Sequence, residues 1–260
     1  MNLSSISSQT VLGRLLRLPL RMIPGNMVLP ILQGALRGKK WVSGSGHHGC
    51  WLGSYEYDKQ RLFARSVSPG EVVFDIGAHA GFYTLLASTL VGRAGRVISF
   101  EPLPYNLVHL QKHLSINGIG NVQVIPAAVS DSDGQARFEI GDGTTTGKLS
   151  TAGELAVRTV SLDTLVSAGE IPIPSVIKMD IEGGEYKALL GAGRILEQHH
   201  PMIFLATHGR DIHNSCCKYL SSIGYKLRTI TGESVADADE LLVVFSSEAQ
   251  QQGEFSAAAS

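Results

Sequence analysis

Asp75 and Glu101 each stand at the end of a short apolar run, and each leads into a segment that could do chemistry. The stretch "VVFDIGAHAGFYTLLAS" (72–88) reads as a strand closed by Asp75, a turn carrying Gly77 and Gly81, and the start of a helix. Gly77 permits a turn that other residues resist. Gly81 permits close backbone approach and leaves free N–H groups at a helix start, where a ligand can bind. About twenty residues after this turn, "RVISFE" (96–101) ends in Glu101, whose carboxylate can accept hydrogen bonds from both hydroxyls of a ribose. A glycine turn alone is a weak signal, because any strand–turn–helix needs glycine. The turn together with a ribose carboxylate indicates a nucleoside-cofactor site.

The turn differs from the G-x-G-x-x-G of nicotinamide and flavin folds. It reads D-I-G-A-H-A-G, and an anion before the first glycine would repel a pyrophosphate. It suits a ligand that offers a cation, such as the amino group of a methionine moiety. The pattern therefore favours S-adenosylmethionine over a dinucleotide, with an NAD(P)-dependent Rossmann oxidoreductase as the alternative.

These residues need a scaffold of alternating strands and helices. Strands are expected at Val72–Asp75, Arg96–Glu101, Val122–Ala127, Ser175–Asp180, Met202–Thr207, Lys226–Arg228 and Leu241–Phe245. Helices are expected near Phe82–Leu90, Pro104–Asn117, Gly184–Glu197 and Ile212–Ile223. Continuous β-branched runs such as "VVF", "VISF" and "SVIKM" belong to strands buried on both faces, hence to a parallel sheet covered by helices. The segment 134–162 breaks the alternation and reads as two strands, Ala136–Ile140 and Val157–Val160, joined by a polar glycine-rich loop. The expectation is a three-layer, doubly wound α/β domain over 69–246. An N-terminal extension of helix, hairpin and short helix precedes it (1–68), and a disordered polar tail comes after it (247–260).

The chain has 260 residues, 43% hydrophobic, with formal net charge −1. That hydrophobic content supports a sizeable core, and the charge balance gives no footprint for nucleic acid. Three cysteines, Cys50, Cys216 and Cys217, suggest neither a disulfide framework nor a zinc pattern, and imply reduced thiols in a cytoplasmic protein. No run reaches the ~18 apolar residues of a membrane span. Arg14, Arg17 and Arg21 share one face of an N-terminal helix, which either docks on the domain's own core or lies on the inner face of an anionic membrane. Oligomeric state is not legible in the sequence.

The segments "LGSYE" (52–56), "PGEVVFDIGAHAGFYTLLAS" (69–88), "GRVISFEPLPYNLVHLQKHLSING" (95–118), "VIPAAVSDSDG" (124–134), "VRTVSLDTL" (157–165) and "VIKMDIEGGEYKALLGAGRIL" (176–196) together resemble the FkbM-type family of S-adenosylmethionine-dependent methyltransferases. That family lies within the class I group with a seven-stranded Rossmann-like sheet. The resemblance implies that Asp75, Gly77, Ala78 and Gly81 hold the methionine end of the cofactor. It implies that Glu101 takes the ribose hydroxyls, helped by Asn106, and that Ala127 and Ala128 edge the adenine. In the wider class an acidic residue often stands at this adenine position, so selectivity here would fall to the main chain or to Asp131. Asp180 would point toward the transferring methyl group, with Glu182 just beyond it. A helix N-terminus that merely favours carboxylates is the competing explanation of that pair.

The family usually carries Glu-x-His after the next strand. Here "FLATHGRD" places Ala206 where the Glu would fall and retains His208. His208 is the candidate general base, since an unperturbed imidazole pKa of about 6.5 lies near working pH; Asp180 or Glu182 would orient it or take the proton directly. The Asp180–Glu182 pair could instead bind Mg²⁺, although no metal is assigned. The implied activity is O-methyl transfer to a hydroxyl of a sugar, glycolipid or polyketide-like small molecule. A non-catalytic module that retains the cofactor pocket is a further alternative, kept open by Ala206.

Overall fold

The computed structural model of the chain describes residues 19–141, 147–150, 152–230 and 233–245. The basic face read on Arg14, Arg17 and Arg21, the polar tail after 246 and the middle of the glycine-rich loop fall outside the described residues and side chains. Among the described residues no helix is long and apolar enough to cross a membrane.

The apolar runs form the expected strands. β3 (Val72–Ile76), β4 (Arg96–Phe100), β5 (Val122–Ile125), β10 (Val176–Met179) and β11 (Met202–Ala206) are parallel, and β12 (Tyr225–Thr229) and β13 (Glu240–Phe245) complete one sheet. Its order is β12-β13-β11-β10-β3-β4-β5, with β13 antiparallel to both neighbours. The chain moves outward from β3 to β4 and β5, then restarts at β10 on the other side of β3. That makes the β3/β10 boundary the switch point, where ligands bind beyond the strand ends.

Side chains alternate between the two faces of each strand. Phe74, Ile76, Ile98, Phe100, Ile177 and Met179 pack with the helices α5 (Leu162–Ser167), α6 (Glu185–Leu190), α7 (Gly193–His199) and α8 (Arg210–Ser222). Val73, Val97, Val176 and Phe204 pack on the other face with α2 (Tyr57–Ser66) and α3 (Phe82–Val91). The result is the three-layer, mostly parallel, seven-stranded arrangement expected of the class I fold.

Several boundaries differ from expectation for identifiable reasons. The helix expected over Gly184–Glu197 is two helices, α6 and α7. The Asp163 carboxylate accepts the N–H groups of Arg194 and Ile195, which caps a fresh helix start inside the expected span. The strand expected to reach Ala127 leaves the large sheet after Ile125, and Ala128–Val129 (β6) joins a second sheet. There β7 (Gly134–Ile140) and β9 (Leu155–Val160) are the antiparallel pair read from sequence. β8 (Gly147–Leu149) is an added strand inside the loop, and the order of this sheet is β6-β9-β7-β8.

The hairpin expected within 1–68 pairs β1 (Val28–Pro30) with β2 (Lys40–Val42), and residues 48–52 are helical (α1, His48–Leu52). α2 docks through Phe63, which is fully buried with its ring 5.1 Å from that of Phe204 and 5.4 Å from that of Tyr83. Helix α4 (Pro104–Ile116) carries His113, which ties the hairpin to the glycine turn. Its Nε2 accepts the Val42 N–H at 3.0 Å, and Nδ1 lies 2.7 Å from the Ala80 carbonyl. Nδ1 is therefore the protonated nitrogen, and burial pushes the ring's pKa down to about 4, so this tautomer is uncharged. Truncating Phe63 to Ala should destabilise the fold by about 3–5 kcal/mol, measured by urea unfolding; a loss below about 1 kcal/mol would mean that α2 does not depend on this anchor.

Candidate active site

A cavity of 490 Å³ opens at the switch point, within the usual range for a small-molecule site. Its lining includes Gly77, Ala78 and His79 from the turn after β3, Glu101 and Asn106 beyond β4, and Ala127 and Ala128 after β5. Lys178, Asp180 and Glu182 line it from the tip of β10, and Trp41, His47, Cys50 and Tyr55 close it from the N-terminal segment.

At the first end, Glu101 is 4% exposed. Its Oε1 accepts the Leu103 N–H and the Asn106 amide, and its Oε2 accepts the His79 N–H. Burial pushes the Glu101 pKa up, and these donors pull against it. A carboxylate offers about four acceptor positions, so Oε2 retains capacity for a ligand hydroxyl. His79 stands in the left-handed region (φ 50), which aims its N–H at Glu101. Burial holds its imidazole down at about 4, and hence uncharged. Ala127 and Ala128 form an apolar edge. Asp131 does not line the cavity and accepts the hydroxyls of Ser130 and Ser132.

Gly77 has φ 78, and a Cβ there would run into the Asp180 carbonyl, so the two strand tips touch because residue 77 has no side chain. Two residues of the expected set lie behind the wall rather than on it. A Cβ at Gly81 would meet Leu110, so the absent side chain lets α4 pack there and does not face the cavity. Asp75 is 1% exposed and outside the lining. Its Oδ2 accepts the Thr84 hydroxyl at 2.6 Å, and its Oδ1 is 3.6 Å from Lys178 Nζ. Asp75 therefore faces Lys178, its register partner on β10, rather than the cavity.

The opposite end is a charge cluster. Lys178 Nζ is 3.8 Å from Asp180 Oδ2 and 3.2 Å from the Gly77 carbonyl. Lys59, from α2, lies 3.9 Å from the same Asp180 oxygen. Burial alone would raise the Asp180 pKa, but Lys178, Lys59 and His208 outweigh it and hold the carboxyl below its usual range. The helix start at Glu185 leaves the Asp180 carboxylate aimed at lysines and cavity, so a capping role does not account for it.

His208 sits one layer further out and does not line the cavity. Its Nδ1 is 2.7 Å from the fully buried Glu185 Oε1, and its Nε2 is 3.6 Å from both Asp180 Oδ1 and Glu182 Oε2. The hydrogen bond to Glu185 leads in pushing the imidazole up to about 9, opposed by burial and reinforced by Asp180 and Glu182. Asp180, Glu182 and His208 each bring one possible ligand atom to within 4.8 Å of the others. The positive charge that a cation would supply there is already provided by Lys178, Lys59 and the imidazolium.

Ala206 ends β11, and its register partner on the antiparallel β13 is Glu240. Cross-strand partners project from the same face, so a carboxylate missing from residue 206 is present one strand away. Glu240 Oε1 is 2.7 Å from Lys59 Nζ.

Fold and cavity define a class I α/β protein with a small-molecule-sized cavity at the switch point of its sheet. A model of the methyltransferase FkbM domain matches residues 75–227, well over half of the chain, and the chain belongs to that family. It is 33% identical over 144 residues to the hexuronic acid methyltransferase AglP of Haloferax volcanii, an alignment covering 55% of this chain and 58% of that protein. Less than two thirds of that relative's length is thus spanned. Among solved structures, a methyltransferase FkbM from Methylobacillus flagellatus KT aligns with TM-score 0.49 at 20% identity, over 72% of this chain and 50% of that one. An S-adenosylmethionine-dependent O-methyltransferase from Thermotoga maritima aligns with TM-score 0.48 at 12% identity, over 73% and 64%.

Because the folded pKa of His208 lies above its ordinary 6.5, the stabilisation from its charged form is complete below about 6.5 and is lost as pH rises through about 9. Wild-type stability in urea should therefore fall across that window, and His208→Gln should flatten the fall; an equal decline in the variant would count against the Glu185–His208 pair as its source.

Proposed function

We propose that this chain is an S-adenosylmethionine-dependent O-methyltransferase whose acceptor is a hydroxyl of a saccharide. The observation that carries the reading is the pairing of a buried carboxylate, Glu101, with a half-buried one, Asp180, in one cavity whose lining has more anionic than cationic side chains. The cofactor fits this chemistry: Oε2 of Glu101 can take a ribose hydroxyl, Ala127 and Ala128 give a flat apolar edge, and an anionic far end suits a sulfonium and an ammonium. When bound, it supplies an electrophilic methyl group for in-line displacement.

The chain's own residues align the acceptor and take its proton. Asp180, lining the cavity with its carboxylate held ionised, is the proton acceptor. The acceptor hydroxyl becomes strongly acidic as its oxygen forms the new bond, so a carboxylate of low basicity suffices. His208 does not serve as the general base. Its imidazole is protonated at neutral pH and lies behind Asp180, where it orients that carboxylate together with Lys178. The ring faces of Trp41, Tyr55 and Phe138 on the N-terminal and loop side of the cavity suit the apolar face of a sugar ring. The named activity of AglP on a hexuronic acid supports a saccharide acceptor.

Calorimetry should show S-adenosylmethionine binding, with Glu101→Ala weakening it about tenfold to a hundredfold, the loss of charged hydrogen bonds. Radiolabelled methyl transfer should be detected onto uronic acid or neutral saccharide acceptors. Asp180→Asn should lower kcat by ~10²–10⁴-fold with cofactor Kd little changed, and wild-type turnover should persist in EDTA. A wild-type chain that binds no S-adenosylmethionine would end this reading. Full activity in Asp180→Asn would remove Asp180 as proton acceptor. Cofactor binding without transfer to any hydroxyl acceptor would favour the non-catalytic module instead.

A further inference from the structure

Lys59 lies outside the FkbM-matched span and belongs to α2, yet its ammonium is buried at the mouth of the charge cluster. Its Nζ is 2.8 Å from Glu56 Oε2, 2.7 Å from Glu240 Oε1 and 3.9 Å from Asp180 Oδ2. Three elements far apart in sequence thus converge on one cation: the N-terminal helix, the first residue of β13 and the tip of β10. A lysine placed only to pin α2 to the sheet would need one carboxylate. This one faces three, and one of them belongs to the cavity.

The approach is held from behind. Glu56 stands in the left-handed region (φ 45), a conformation that a residue with a side chain adopts only when its surroundings impose it. That backbone places its carboxylate between Lys59 and the Tyr83 hydroxyl, which donates to Oε2 at 2.9 Å. The Tyr83 ring, part of the cavity lining, is flanked by both ammonium groups, Lys59 at 5.6 Å and Lys178 at 5.3 Å from its centre. Lys178 is committed to Asp75 and the Gly77 carbonyl as well as to Asp180. Lys59 is the second cation on the same Asp180 oxygen.

We propose that Lys59 is a positioning residue for methyl transfer, holding the Asp180 carboxylate in place from the N-terminal segment, with Glu240 setting how closely Lys59 approaches it. This inference rests on the proposed methyltransferase reading. Asp180 is faced by the cations Lys178, Lys59 and His208, by the uncharged His79 ring, and by the anions Asp75, Glu182 and Glu240, with Tyr55 and Tyr83 nearby. Removing one cation raises the pH at which Asp180 ionises, and removing one anion lowers it.

The test is the pH profile of kcat/KM for methyl transfer to a saccharide acceptor. Wild type, Lys59→Met, Lys59→Arg and Glu240→Gln are compared, with folding checked by circular dichroism and cofactor Kd by calorimetry. Lys59→Met should move the acid limb up by about one pH unit or more and lower kcat, with cofactor Kd little changed. Lys59→Arg, which keeps the charge, should return the limb to near the wild-type position. Glu240→Gln should move it the other way, to lower pH, and carries the test by itself if Lys59→Met fails to fold. Wild-type turnover with an acid limb unmoved in the folded variants overturns the role of Lys59 and leaves the methyltransferase reading standing. Absence of wild-type turnover and of cofactor binding overturns both.

Discussion

Two buried lysine ammonium groups, set among four carboxylates, fix the geometry on which the cavity depends. Lys178 faces Asp75 and Asp180, and Lys59 faces Glu56, Glu240 and Asp180. Buried ion pairs are poor sources of stability, because desolvation consumes most of the attraction. Their effect here is on arrangement. Asp180 is shared by both cations, so its carboxylate has few orientations that keep both lysines paired. The charged end of the cavity is thereby held by pairing from two sides.

Topology explains why these charges meet. In a wholly parallel sheet only strand ends reach the ligand side. The reversed direction of β13 brings its first residue, Glu240, to the same edge as the last residues of β10 and β11. A carboxylate can thus be delivered from either chain direction, and the alanine at 206 costs the cluster no charge. On the other side of the switch point, contact between Gly77 and the Asp180 carbonyl joins the turn after β3 to the charged end of the cavity. The two ends of the cavity are thus built on adjoining strands in direct contact.

The parts of this site legible in the sequence are those set by strand ends and local turns. Asp75, Gly77, Glu101 and Asp180 all come after apolar runs, and the structure places all four at strand tips. Which of them touches the cavity is not legible, because that depends on which face of the tip a side chain takes; Asp75 turns inward to Lys178. Lys178 itself leaves a readable signal: a lysine inside "SVIKM", a strand expected to be buried on both faces, requires an anion nearby. Lys59 leaves a similar one, since it shares a helical face with Phe63, four residues on. Glu240 and the hairpin partner β1 leave none, because cross-strand register and non-local pairing are fixed by tertiary packing. The protonation of His208 is hidden for the same reason: Glu185, which raises its pKa, is brought close only by the packing of the turn after β11 against the start of α6.

The single tautomer of His113 has a consequence for how this architecture can diversify. One ring nitrogen holds the hairpin at Val42, the other holds the glycine turn at Ala80, and the ring stacks on Trp41 at 3.8 Å. The cavity wall formed by the N-terminal segment is therefore not a detachable cassette. Grafting this hairpin onto a relative, or a relative's onto this chain, would transfer a new binding face only if the helix bearing the histidine travelled with it.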